Sequence, residues 1–537
     1  DRFNRTLREH AATFLVHDEE DPHDPLLGVL GKRFSTYLTA AQLAAYTAPA
    51  IFQEGTMRAM PAIPRDGMAF YPEMKGSVLL GHQFSPETAD LTTTPVMLAK
   101  DRFIHIMFAG ETGSGKTVGA ERFAYEAARR WNTRIVVLDF GAGWRKLLNA
   151  PGIENQVDVR QLNPTGVRPL RWNPMQISRH ITPSMQLASF VDIFSNLSQM
   201  GVKQQRHRFF ELLEEIYLQH GVLVNYPKVL NDGHWGSVVD AAEARLSGGR
   251  VGQALRDLDR AQTQKIAVHR SRNVSLQMLN DAAEQKLENL PRGDKVGRNI
   301  FNGIKFRVGA LIRGGTAAQF AAGEDAIDIA ELASAEKRVL VLEGGGEMDQ
   351  FTKAWLLSWA AWIMYSDMVK RRELQLVSES DADLLMIFEE ANIIFTGMDQ
   401  KDAEQAGAIT AADQYNSMFR DSRKYGVRFV VVTQAPSLIP AGVRASCGSL
   451  FISKLSDPQD KDIVLSALAK SEKGFRDEAW RRFLADLSTG MTLGRLPYSF
   501  DRREMRPFLF MPLILNAKEP TNEEIAQKLG RIDLRNV

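Results

Sequence analysis

Eight consecutive residues, Gly110-Glu111-Thr112-Gly113-Ser114-Gly115-Lys116-Thr117, match the phosphate-binding pattern G-x-x-x-x-G-K-[ST]. A loop of this composition turns a row of backbone N–H groups inward. Its glycines permit the positive-φ turns and the close approach that phosphates need. Lys116 can reach the β- and γ-phosphates and the Thr117 hydroxyl can ligate Mg²⁺. Val118 continues into a helix whose N-terminus faces the anion. In a chain of 537 residues a chance match has a probability of roughly one or two per cent. The chemistry on offer is nucleoside triphosphate binding.

Hydrolysis needs further groups, and the ends of apolar runs supply them. The run Leu384–Phe388 terminates in Glu389-Glu390-Ala391. Phosphoryl transfer asks for positioning and charge stabilisation more than covalent help. One acid at such a strand end can hold Mg²⁺ through water while the next polarises the attacking water, which assigns Glu389 to the metal and Glu390 to the water. The competing reading is that both carboxylates cap a helix starting at Ala391. Thr433-Gln434 ends another apolar run, where Gln434 either senses the γ-phosphate or bonds a neighbouring loop. Arg420 and Arg423 lie in the basic stretch Met418–Gly426. They are either solvated charge at a helix end or fingers that complete a neighbouring subunit's site in a ring.

These groups need a scaffold of strands that deliver loops to one edge. Phe103–Ala109 reads as a buried strand and Val118–Arg130 as a helix, the strand–loop–helix order the phosphate motif requires. Arg134–Phe140 reads as a second buried strand containing the acid Asp139. Earlier strands are read at Ser77–Gly81 and Pro95–Leu98, and later ones at Arg338–Glu343, Leu384–Phe388 and Arg428–Thr433. Helical stretches alternate with them, which implies a largely parallel sheet covered on both faces. Residues 1 to about 70 read as mostly helical, with Arg2–Phe14 and Ala40–Phe52 as helices. The acidic loop His17–Asp24 between them reads as solvated rather than as a metal site, since no apolar support surrounds it. From 181 to 325 strand patterns vanish and helical periodicity takes over, as at Phe209, Phe210, Leu212, Leu213, Ile216 and Tyr217.

Composition sets the bounds. Hydrophobic residues make up 44% of the chain, enough for full globular cores in about two to four domains. Lys and Arg number 66 against 65 Asp and Glu, a net charge of +1. That balance counts against a protein that grips DNA over its whole surface and leaves room for a local basic channel. Cys447 is the single cysteine, so no internal disulfide forms and a reducing compartment is indicated. Ser446-Cys447-Gly448-Ser449 offers no base nearby in sequence, which argues against a nucleophile. The apolar stretch Ala354–Tyr365 is shorter than the ~20 residues of a spanning helix and suits a buried helix instead. The chain begins at Asp1 without an initiator Met, and a longer or processed parent with a further N-terminal region is expected.

In order, the phosphate loop, Leu138-Asp139-Phe140-Gly141-Ala142-Gly143-Trp144-Arg145-Lys146-Leu147, Trp172-Asn173-Pro174-Met175, Phe388-Glu389-Glu390-Ala391, Arg423-Lys424-Tyr425-Gly426 and Thr433-Gln434 resemble the motor domain of the large conjugation and type IV secretion ATPases. These are the TraC, TrbE, TraU and DotO kind, within the HerA/FtsK branch of RecA-like motors. The resemblance covers about residues 75 to 515, and Gly81 with Pro95–Leu98 resembles the leading strands of that branch. It departs at Glu389, where the family usually has Asp. The resemblance implies an α/β fold, a RecA-like P-loop NTPase with a mostly parallel central sheet plus an all-helical insertion. The expected division is an N-terminal helical segment over 1–74, ATPase domain over 75–180 and 326–515, helical insertion over 181–325, and tail over 516–537. Implied with it are ATP and Mg²⁺ as cofactors and a hexameric ring of the chain itself. Other secretion-system ATPases, inner-membrane components and a secreted protein or nucleoprotein substrate are implied as partners, at the cytoplasmic face of a bacterial inner membrane. Three functions follow as alternatives: a motor energising type IV secretion or conjugative transfer, a DNA-translocating pump, or a scaffold that binds nucleotide without hydrolysing it. Direct DNA binding stays open.

Overall fold

Strands that are apolar at every position bury neither face in water, so both sides of their sheet must be covered. The computed structural model describes residues 51–53, 56–58, 68–101, 103–131, 133–198, 203–225, 260–313, 315–323, 325–333, 338–346, 348–376, 382–395, 411–468, 478–496 and 506–534. The expected helix Arg2–Phe14 and the loop His17–Asp24 fall outside these residues. The chain divides into two units. One comprises residues 1–60 and 85–90, within which β1 (Ile51–Gln53) and β2 (Thr56–Arg58) form an antiparallel pair. Ile51 and Phe52 are therefore strand, not the end of the helix expected over Ala40–Phe52.

The other unit, residues 61–84 and 91–537, is built on an eleven-stranded sheet. Its strands are β3 (Val78–Phe84), β4 (Leu91–Leu98), β5 (Ile106–Ala109), β6 (Arg134–Asp139) and β7 (Val157–Gln161). They continue with β8 (Val339–Glu343), β9 (Leu384–Phe388), β10 (Val427–Thr433), β11 (Ser449–Ile452), β12 (Thr492–Arg495) and β13 (Phe508–Pro512). The spatial order is β4-β3-β13-β12-β11-β5-β10-β9-β6-β8-β7. From β11 to β7 every pairing is parallel; from β11 back to β4 every pairing is antiparallel. β7, β11, β12 and β13 carry no strong sequence pattern. They are four or five residues long, and β7 and β12 include charged residues.

Along each parallel strand, alternate side chains enter one of two cores. Met107, Leu138, Phe388 and Val431 join one core, and Phe108, Val137, Ile387 and Val432 the other. The second core is closed by α1 (Lys116–Arg130) through Ala120, Phe123, Ala124 and Ala127. The first receives a helical assembly: α2 (Pro183–Leu197), α3 (Lys203–Gln219), α4 (Arg260–Ser271), α5 (Leu276–Asn289) and α6 (Lys295–Leu311). It also receives α7 (Gln350–Glu373), whose Trp355, Leu356, Leu357, Trp359, Trp362 and Ile363 are all buried. Among the described residues between 181 and 325 there are helices and no strand. The Asn173-Pro174 pair pins the chain where it passes toward these helices. Asn173 Nδ2 donates to the carbonyls of Arg272 and Val274, and Trp359 Nε1 donates to that of Pro174. Among the described residues no helix is long and apolar enough to cross a membrane.

Candidate nucleotide site

Parallel strands deliver their C-terminal ends to one edge, and the central four, β5, β10, β9 and β6, bring the candidate chemistry together there. β5 ends at Ala109 and the phosphate loop begins. Its backbone is tied down on several sides: Gly110 N–H donates to Thr433 O at the end of β10, Glu111 N–H to Lys454 O beyond β11, and Gly490 N–H to Ser114 O. A side chain at Gly110 would place its Cβ 2.5 Å from Ser114 Oγ and 2.8 Å from Ser453 Cβ. Gly115, with φ 99°, starts α1 from the left-handed region without any side-chain cap, and no acid lies in the first turn. The opening N–H groups of α1 thus face outward with no acceptor of their own. Among the described residues, Ser114 Oγ is buried with no hydrogen-bond partner. An anion at this place would satisfy both deficits.

Lys116 is 7% exposed and, among the described residues, makes no ion pair. Beside it, Thr117 Oγ1 donates to Glu389 Oε1 at 3.2 Å, and Trp144 Nε1 donates to Glu389 Oε2 at 3.1 Å. Glu389 is buried, and burial pushes its carboxyl up to about 8, with Asp139 and Glu390 adding to the effect and Trp144 and Lys116 opposing it. Asp139, at the end of β6, is pushed up to about 7 by burial, against the backbone N–H groups of Trp144 and Gly141 that donate to it. A hydroxyl and a carboxylate converging beside a phosphate loop form an oxygen donor set suited to Mg²⁺. A divalent cation there would offset the burial that keeps these acids from ionising.

Glu390 begins the short helix α8 (Ala391–Ile394) in the left-handed region, φ 49° and ψ 47°, and makes no side-chain cap bond. A non-glycine residue held there costs of order 1–3 kcal/mol. Its carboxylate instead accepts from Gln434 Nε2, and Gln434 Oε1 accepts from Thr112 Oγ1 at 2.7 Å. Gln434 therefore bridges the loop to Glu390. Glu390 occupies the N-cap position of α8, yet neither acid makes a capping hydrogen bond: Glu389 bonds Thr117 and Trp144, and Glu390 bonds Gln434. Glu111 points elsewhere: Ser456 and then Lys454 hold its carboxyl below the usual range. Gly113 and Val118 complete the loop and the first turn of α1.

The two arginines lie elsewhere. α9 (Ala411–Asp421) and the turn Ser422–Tyr425 precede β10, so Arg420 and Arg423 sit at the N-terminal edge of the sheet. The seven residues of β10 separate that edge from Gln434, about 23 Å at 3.3 Å per residue. Arg420 is exposed and pairs with Asp421, and Arg423 is exposed. Neither belongs to the site of its own chain. Cys447 is buried, and burial raises its thiol far above the range of a nucleophilic thiolate.

Sequence reasoning missed Asp139 and Trp144 as parts of the site. Asp139 ends an apolar strand as Glu389 does, so its signal was present. Trp144 lies 245 residues from Glu389, and nothing local shows that its indole meets that acid.

No family model matches the chain. Among curated proteins, a probable helicase of Methanocaldococcus jannaschii is 34% identical over 84 residues, which cover 16% of this chain and 15% of that protein. Among solved structures, VirB4 of Thermoanaerobacter pseudethanolicus aligns over 84% of this chain and 99% of its own, with 12% identity and a TM-score of 0.53. The plasmid coupling protein TrwB, solved with a non-hydrolysable ATP analogue, aligns over 84% of this chain and 93% of its own, with 15% identity and a TM-score of 0.48. At 12% identity the likeness to VirB4 is one of fold, an α/β architecture on a largely parallel sheet.

Proposed function

We propose that the chain is an ATP-hydrolysing motor that energises assembly or substrate transfer in a type IV secretion or conjugative transfer system. The observation that carries this reading is the convergence of Thr117, Glu389 and Trp144 beside an uncapped phosphate loop, with Gln434 joining that loop to Glu390. The likeness in fold to VirB4 and the motif order support the choice of system.

In this reading the loop N–H groups and Lys116 bind the triphosphate, and Thr117 with Glu389 holds Mg²⁺. When bound, Mg²⁺ draws charge from the β- and γ-phosphate oxygens. Trp144 fixes the orientation of the Glu389 carboxylate. Glu390 receives the proton of the attacking water, and Gln434 holds Glu390 in register with the loop. Arg420 or Arg423 serves the site of a neighbouring copy in a hexameric ring. The ring works at the inner face of the membrane with other secretion ATPases and inner-membrane components.

A second reading, a DNA-translocating ATPase, draws on the 84-residue likeness to a probable helicase. The test is the ATPase rate of the purified chain with and without DNA, beside Lys116→Ala. Removing the buried cation should abolish turnover and weaken nucleotide binding while the fold survives. Undiminished hydrolysis by Lys116→Ala overturns the site. Strong stimulation by DNA moves the assignment to the second reading, and no turnover in any oligomeric state leaves a nucleotide-dependent scaffold.

A further inference from the structure

Residues 260–313 carry eleven Lys and Arg against four Asp and Glu, in a chain whose whole net charge is +1. The basic character is sharpest on α6, which contains Lys295, Arg298, Lys305 and Arg307 and no acid. One face of α6 is fully committed: Ile300, Phe301, Ile304, Val308 and Leu311 are buried in the core shared with α3 and α5. The opposite stripe is open. Asn299, Asn302 and Phe306, spaced three and four residues apart, share it, with Lys295 before them and Arg313 just past the helix; all five are exposed.

Phe306 is 70% exposed. Lys305, on one flank, is paired to Glu284 of α5, whereas Lys295 and Arg313 make no ion pair among the described residues. The stripe from 295 to 306 is about 16 Å long at 1.5 Å per residue. It therefore presents a bare aromatic ring, two primary amides and unpaired cations in one line. An acidic polypeptide would match the cations but offers no reason for the ring and the amides to stand together. A single-stranded nucleic acid matches all three: its phosphates take the cations, its unpaired bases stack on the ring, and the amides reach base edges or sugars. A duplex would withhold its base faces from Phe306.

We propose that the outward face of α6 binds single-stranded nucleic acid, with Phe306 as the stacking platform and Lys295 and Arg313 as phosphate contacts. This deepens the DNA-handling reading above and rests on it for its purpose, though the binding itself needs no nucleotide. The probe is a labelled oligothymidylate of about 20 nucleotides, long enough for one binding path, followed by fluorescence anisotropy on the full chain at rising salt. Phe306→Ala should weaken binding roughly tenfold, the scale of one stacked base, with little change in salt dependence. Phe306→Tyr, which keeps the ring, should bind like wild type. Lys295→Glu combined with Arg313→Glu should weaken binding and flatten the salt slope by about 0.7 per lost phosphate contact. Lys116→Ala should leave binding intact. Phe306, Lys295 and Arg313 are exposed, so matching thermal midpoints separate a folding failure from a lost contact. Absence of binding at low salt, or wild-type affinity in both Phe306→Ala and the double variant, overturns the proposal. Displacement of the strand by polyglutamate, with Phe306→Ala unaffected, also overturns it and makes the face a dock for an acidic polypeptide. Binding that depends on Phe306 without any stimulation of ATPase would sustain the face and remove the DNA-pump reading instead.

Discussion

Glu389 and Glu390 are neighbours with the same side chain, and their surroundings set them apart. Glu389 is buried between Thr117 and Trp144, whereas Glu390 is half-buried, in a strained backbone conformation, and bonded to Gln434. Glu390→Gln keeps shape and hydrogen bonding but cannot take a proton, so ATP should bind and persist while turnover falls at least about a hundredfold. If Glu389→Gln shows that ATP-retaining phenotype instead, the two roles are exchanged. Trp144→Phe removes only the N–H that orients Glu389. Loss of such an outer partner to a metal-holding group typically costs 10–100-fold in metal affinity or activity, and that is the expected drop at limiting Mg²⁺. Raising Mg²⁺ should recover part of it. A variant whose Mg²⁺ dependence overlays wild type would show the indole to be mere filling.

At the scale of elements, the segment carrying Arg420 and Arg423 is latched to the strand that leads into the phosphate loop. The latch is His105, just ahead of β5. Its Nδ1 accepts from the Phe429 backbone N–H at 3.0 Å, so its proton sits on Nε2, which bonds the Phe419 carbonyl at 2.9 Å. The ring packs against both Phe419 and Phe429, with centroids 5.2 and 5.3 Å away, and those two rings touch each other at 4.3 Å. Burial lowers its pKa to about 3, with Arg428 and Arg423 contributing and the Phe419 carbonyl opposing. A second proton would have to enter at Nδ1, facing another N–H. Below the ordinary value of 6.5 the unfolded chain takes up a proton that the folded chain refuses. The contribution of His105 is therefore complete above that pH and declines as pH falls, by about 1.4 kcal/mol per unit. His105→Gln should be less stable at pH 8 but lose less between pH 6.5 and 5. Thermal midpoints measured across that window check it, and parallel curves for the two proteins would refute the latch's protonation cost.

For the whole molecule, the separation of the arginines from their own phosphate loop means they can serve catalysis only in another copy. Heterologous contacts of that kind close into rings. Specific activity should then rise with protein concentration. Arg420→Ala or Arg423→Ala subunits should poison wild-type subunits in mixtures, because each spoils a site it does not itself bind. A trans finger can contribute several orders of magnitude in rate, so the poisoning should be steep. Activity strictly proportional to concentration, with additive mixing, would leave both arginines as surface charge.

The phosphate loop, its flanking strand and helix, and the apolar runs of β6, β8, β9 and β10 were legible in the sequence, because each depends on neighbours within a few residues. A buried parallel strand is a continuous apolar run wherever it occurs, and Gly115 needs its left-handed turn whatever surrounds it. Glu389 and Glu390 were assigned to metal and water from the sequence with helix capping as the competing reading, and what only the tertiary structure supplied was their partners, Thr117 and Trp144 for the one and Gln434 for the other. Tertiary structure also decided the short strands β11, β12 and β13, which join the antiparallel flank through their partners, whereas β3 and β4 of that flank were read in part from Ser77–Gly81 and Pro95–Leu98. It placed Arg420 and Arg423 at the far edge and turned a basic, aromatic face of α6 outward. Such properties arise from contacts between residues far apart in the chain, which no local spacing encodes.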